Sequence, residues 1–258
     1  MLSRTKTMFR KLRGKRSHDS KPEPSAPATI AKTEPVGPPP RAINHSELAS
    51  LPREVTSKIK TQGNMVVVVA NAKGAISDLY YLSQTEQDGG WYDPTDTFES
   101  RFVCGDCIYT ISFMRAQELW PYAAMISIYQ HVCLVFTYDA SSTESWDEIV
   151  ATCEAMRSRC KDGASPFVAT IIGAQVKSED EVVVSHAEAE AFATQRGYRF
   201  FKFSPRTGHG ASDAIGSLVE RAYSARDQHT DDQAGQDQRR KRAEEIVGLF
   251  PRGKMVSR

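Results

Sequence analysis

The chain has 258 residues, with 33 Lys and Arg against 32 Asp and Glu, a formal charge of +1. That balance gives no whole-chain case for nucleic-acid binding, and 40% hydrophobic residues suffice for one well-filled core but not two. Five cysteines scattered through apolar segments read as reduced thiols. No run approaches the ~18 consecutive apolar residues of a membrane span, and the N-terminus lacks the apolar stretch of a secretory signal.

Residues 1–21 form a basic arm, with seven Lys or Arg and no acid between Arg4 and Arg16, and a small apolar stripe at Met8, Phe9 and Leu12. Three readings stand side by side. The arm lies on an anionic membrane, where each basic residue adds ~1 kcal/mol; it is a nuclear or organellar address; or it is a solvated tail. Residues 22–44 are a Pro-rich linker, whose first nineteen positions hold seven prolines and too little apolar surface to offset ordering. Residues 45–62 carry a weak helical pattern at Leu48, Leu51 and Val55, with Pro52 near a helix start.

The folded domain is expected over 63–226. Residues 65–70 are a largely β-branched run apolar on both faces, which predicts a central parallel strand. A turn at 71–77 leads to a helix over 76–84, broken at Asp88-Gly89-Gly90. Strands over 98–103 and 108–113 meet at a tight turn at Gly105-Asp106. A helix around 121–129 precedes a buried strand at 132–138. Ser142 or Thr143 caps a helix over 144–160, and 167–173 is another apolar strand. Ser185 caps a helix over 186–196 that stops at Gly197; 198–203 and 212–226 are the last strand and helix. A polar tail, 227–258, contains Arg239-Arg240-Lys241-Arg242 before an amphipathic 243–250.

The local sequence resembles the Ras family of small GTPases. The string WYDPTDTFES at 91–100 is similar to the family's first switch, with YDPT at 92–95. VCLVFTYDASSTESWDEI at 132–149 resembles its fourth strand and following helix, and FSPRTGHGASDAI at 203–215 its last loop. The resemblance implies an α/β, P-loop NTPase fold: a mostly parallel six-stranded sheet with one antiparallel hairpin strand and helices on both faces.

The same alignment removes the family's chemistry. Its phosphate loop, G-x-x-x-x-G-K-[ST], converges backbone N–H groups and a lysine on phosphate. Here residues 70–77 read ANAKGAIS: Ala70 and Ala75 replace the glycines, Ile76 replaces the lysine, and Ser77 remains. A charge-assisted contact is worth ~1.5–3 kcal/mol, so losing that lysine alone weakens binding by about tenfold or more. The second switch, Asp-Thr-Ala-Gly-Gln, aligns with residues 113–117, which keep only the glutamine, Gln117. The base-reading Asn-Lys-x-Asp aligns with residues 174–177, so a cation, Lys177, replaces the carboxylate that accepts from guanine. Ser-Ala-Lys becomes Ser204-Pro205-Arg206.

The resemblance therefore implies a signalling or scaffold protein with GTP binding and hydrolysis lost or strongly weakened, and no resident cofactor. Its switch-like surface, with Trp91, Tyr92, Asp93, Trp120 and Tyr122 as anchors, would meet a protein partner. The alternative is an atypical GTPase that holds GTP or GDP through Lys73, Gly74, Ser77, Thr95, Ser204 and Arg206. Ser77 and Thr95 would then sit on magnesium, and Gln117 at the family's catalytic position. Cys104-Gly105-Asp106-Cys107 lacks a second ligand pair at zinc spacing and reads as a hairpin turn. His209 has two readings, a pocket residue or a solvated loop side chain. The string Met255-Val256-Ser257-Arg258 is not a C-a-a-X box. A cytoplasmic protein is expected, with peripheral membrane attachment, nucleus and organelle left open.

Overall fold

Side chains alternate across a strand, so a strand apolar at every position needs cover on both faces. The computed structural model describes residues 39–43, 59, 61–72, 99–119, 123–161, 164–178, 181–204, 207–226 and 233–250, and shows how that cover is arranged. The strands are β1 (Arg41–Ala42), β2 (Thr61–Asn71), β3 (Glu99–Cys104), β4 (Cys107–Arg115), β5 (His131–Asp139), β6 (Thr170–Gln175) and β7 (Arg199–Phe203). The helices are α1 (Ala123–Ile126), α2 (Thr143–Arg159), α3 (His186–Gln195), α4 (Ala211–Ser224) and α5 (Gln233–Leu249).

All these strands join one sheet in the order β1-β3-β4-β2-β5-β6-β7. β4, β2, β5, β6 and β7 run parallel, and β3 is antiparallel to both its neighbours. Met65, Val67 and Val69 of β2 join Cys133 and Val135 of β5 on the face covered by α4, where Ile215, Leu218 and Val219 are buried. Val66, Val68 and Ala70 point the other way, into a core shared with Phe136, Tyr138, Trp146 of α2 and Ala189 of α3. The helix caps follow the sequence in part. The Ser142 hydroxyl accepts from the Ser145 amide at the start of α2, whereas Ser185 makes no side-chain cap bond.

Two expected boundaries need correction. The sheet has seven strands, not six, because Arg41 and Ala42, at the end of the expected linker, pair with Val103 and Phe102 and cover the edge of β3. The Ile43 amide donates to the Arg101 carbonyl at 2.9 Å, and its side chain is buried. The described part of the 227–258 segment, residues 233–250, packs onto the domain. Its helix α5 buries Ala243, Ile246, Val247 and Leu249 in the same core as α2, with Phe250 meeting Phe167 edge-on at 6.4 Å. Arg242 donates to the Tyr129 and Gln130 carbonyls at 2.8 and 2.9 Å, and Arg159 to the Leu249 carbonyl at 2.7 Å. The helix expected over 76–84 lies outside the described residues, as do 45–58 and 60 of the lead-in.

Removing Ile246 methylenes leaves a void against a packed sheet. Ile246→Ala should therefore destabilise the protein by about 2–5 kcal/mol in urea unfolding with an unchanged m-value. A loss below about 0.5 kcal/mol, the range of an ordinary surface substitution, would mean that α5 does not belong to the core.

Candidate functional site

Ligands of open α/β sheets bind beyond the carboxyl ends of the strands, where the chain leaves two adjacent strands in opposite directions. Here β2 continues toward β3 on one side of the sheet and β5 toward β6 on the other, so the crevice falls above Asn71 and Thr137. The strand ends around it are tightly tied. The Ala72 amide donates to the Thr137 carbonyl at 2.9 Å, and the Thr137 hydroxyl donates to Asn71 Oδ1. The Ala140 amide donates to the Gln175 carbonyl at 3.0 Å, and the Val176 amide to the Phe203 carbonyl at 3.0 Å. Lys177 and Ser204 thus leave the sheet from neighbouring strands.

Asp139 closes β5, a strand buried at every residue. A carboxylate there needs partners, because an ionised group out of water without them is costly. Lys177 Nζ donates to its Oδ2 at 2.5 Å, and the Ser141 amide and hydroxyl donate to Oδ1 at 3.0 and 2.7 Å. The Asp139 amide donates to the Ser145 hydroxyl at 2.9 Å, which fixes the strand end to the first turn of α2. Burial pushes the Asp139 carboxyl up, but the bonds from Lys177 and Ser141 outweigh it and hold the group below its ordinary value. The two partners differ in exposure: the Asp139 side chain is 9% accessible and that of Lys177 45%.

The last loop is built on its own backbone. The Ser204 amide donates to the His209 carbonyl, the Gly208 amide to the Ser204 carbonyl, both at 2.9 Å, and the Thr207 amide to the Ser204 hydroxyl at 3.3 Å. Gly210 starts α4 with φ +84°, and a Cβ there would stand 2.2 Å from the Lys202 carbonyl oxygen, so only glycine fits. His209 is an exposed loop residue. Gln117 is exposed on a 3-10 turn, Ala116–Glu118, directly after β4.

Among the site residues expected from sequence, the structure thus places Gln117 and Ser204. Lys73, Gly74, Ser77, Trp91, Tyr92, Asp93, Thr95, Trp120, Tyr122 and Arg206 lie outside the described residues. Asp139 is not singled out in sequence, although an acid ending an apolar strand is the available signal. Cys104 and Cys107 face each other across the hairpin turn as free, buried thiols, and burial pushes Cys104 up to about 11. Among the described residues no group of three or more His, Cys, Asp or Glu could hold a metal ion.

Removing the Asp139 carboxylate strands an ammonium, a hydroxyl and an amide together, and Asp139→Ala should cost about 1–3 kcal/mol near neutral pH. The folded-state pKa lies below the unfolded one, so this stabilisation is complete above the unfolded value of about 3.9 and fades as pH falls through the folded value. Urea unfolding of both proteins should show their difference shrinking below about pH 4; a difference that grows there would contradict the pairing.

No curated protein sequence matches the chain. The Ras family model matches residues 116–224, the stretch from the 3-10 turn after β4 through β5, β6 and β7 to the end of α4. That match and the mostly parallel sheet with its antiparallel edge are consistent with a Ras-like P-loop fold.

Proposed function

We propose that this protein is a Ras-like domain that works as a protein-binding scaffold without GTP-driven switching. The observation that carries the reading is the Asp139–Lys177 pair. The resemblance implies an aspartate at position 177, accepting hydrogen bonds from the guanine edge. Lys177 is a donor-only group, and its ammonium is already engaged at 2.5 Å by Asp139. The described residues therefore do not fit a guanine base. The alignment adds that Ala70, Ala75 and Ile76 stand where glycines and a lysine would receive phosphate.

The partner surface on this reading runs through residues 91–98 and 116–122. The nearest described large apolar side chain in sequence, Met125, is 45% accessible. An exposed large apolar side chain suits a protein interface. No helix among the described residues is long and apolar enough to cross a membrane.

The full-length protein should show no shift in melting temperature with GTP or GDP and magnesium, and should release no nucleotide when denatured. A rise of several degrees, or stoichiometric guanine nucleotide in the supernatant, would overturn the reading in favour of an atypical GTPase.

A further inference from the structure

The closed end of the β3–β4 hairpin brings two thiols together. Gly105 and Asp106 connect the strands, and Cys104 and Cys107 are register partners on either side of them. Directly opposed residues of an antiparallel pair send their side chains to the same face, and both cysteines are buried in the core under α4. Opposed Cα atoms on such a ladder stand about 4.5–5.5 Å apart, inside the ~4.4–6.8 Å that a disulfide spans. The other three cysteines lack such a neighbour. Cys133 lies on β5, two strands from β4, hence about 9–10 Å away. Cys153 and Cys160 pack on the opposite face of the sheet and are separated by ~10 Å of helix.

The turn is also the place where this part of the core opens to solvent. Gly105 is exposed, with φ +58°, and a Cβ on it would overlap the Tyr223 hydroxyl. That hydroxyl donates to Asp106 Oδ1 at 2.9 Å, and the Arg226 guanidinium lies 3.8 Å over the Tyr223 ring. Tyr223 therefore latches the turn to the end of α4. Burial pushes both thiols up, Cys104 to about 11, so the pair stays protonated and reduced while the latch is closed.

We propose that Cys104 and Cys107 form a reversible disulfide, with a low-molecular-weight disulfide such as oxidised glutathione as the oxidant. One cysteine sulfur gives its proton to solvent and attacks a glutathione sulfur, forming a mixed disulfide and releasing one glutathione thiolate. The second cysteine loses its proton and attacks the cysteine sulfur of that mixed disulfide, closing the bridge and expelling the second glutathione. Two protein thiols are oxidised, and one glutathione disulfide is reduced to two thiols. The bridge closes the end of β3 next to Val103 and Phe102, the residues on which β1 pairs. It depends neither on the strand ends above Asp139 nor on a protein partner.

The test uses the full chain, reduced, equilibrated with oxidised glutathione without denaturant, acid-quenched and alkylated. Cleavage after Arg101 and Arg115 gives a peptide, 102–115, that contains Cys104 and Cys107 and no other cysteine. From wild-type protein this peptide should be two hydrogens lighter than its reduced form and take up no alkylating reagent, while Cys133 and Cys153 are alkylated as free thiols. Dithiothreitol should restore the reduced mass. Cys160→Ser should bridge as wild type does, and Cys104→Ser should leave Cys107 unbridged. Tyr223→Phe, which removes the bond to Asp106 and keeps the ring, should speed bridging by about twofold to tenfold, the gain in local opening expected from losing one hydrogen bond. A parallel urea series separates bridging in the folded protein from bridging in the unfolded chain. A 102–115 peptide that stays reduced, a glutathione adduct as the final product, or bridging only above the unfolding midpoint would overturn the proposal. An unchanged rate in Tyr223→Phe would overturn the latch.

Discussion

The structure depends on one constraint: β2 and β5 present apolar side chains to both faces and leave no face for water. Every residue of β5 is buried, and residues 65–70 of β2 are at most 5% accessible. Burying a Val, Leu or Phe side chain is worth about 1.5–3 kcal/mol, so these two strands carry much of the driving force. They also dictate where the other elements go. One face takes α4; the other takes α2, α3 and α5. α5 is recruited from well beyond the last strand because the second face is not closed without it: Ile246, Val247 and Leu249 sit in the same core as Val132 and Leu134.

The same constraint shapes the candidate site. A strand buried along its whole length must still end in water, and β5 ends at Asp139. Its carboxylate is met from three directions, by Lys177 and by the hydroxyl and amide of Ser141. The pair joins the end of β5 to the segment after β6, adjacent strands whose register already sets Asp139 opposite Gln175. Asp139 is the buried partner and Lys177 the exposed one, so the pair ties the strand end to a side chain that still reaches water.

The strands are legible in the sequence because their apolar runs are β-branched and bounded by turn residues, and the observed β2, β4, β5 and β7 lie within a few residues of the expected ones. β6 shows where such a reading slips. Phe167 and Val168 are apolar and are expected inside the strand, yet β6 begins at Thr170. Phe167 is apolar because it packs on Phe250 at the end of α5, and the Val168 amide donates to the Val132 carbonyl ahead of the ladder. The hydrophobicity of Phe167 reports a helix contact, which a single-sequence reading credits to the strand. β1 is illegible for the opposite reason: two residues after a proline run have no periodicity, and only the open edge of β3 gives them a place. The Asp139–Lys177 pair is hidden by distance, since 38 residues separate partners that the parallel register brings together.

The basic quartet at 239–242 shows why charge runs cannot be read as single features. Consecutive helical residues point about 100° apart, so four in a row surround the axis. Once Ala243, Ile246 and Val247 fix which side of α5 faces the core, the quartet divides. Arg242 turns in to clasp two backbone carbonyls, Arg240 pairs with Glu244 in solvent, and Arg239 and Lys241 border an open groove beside residues 165–168. A string that in sequence is simply polycationic becomes, through the packing of its apolar neighbours, one structural clasp, one solvated ion pair and two side chains that share a cavity. Burial of three apolar residues therefore decides the electrostatics of the four charged ones before them.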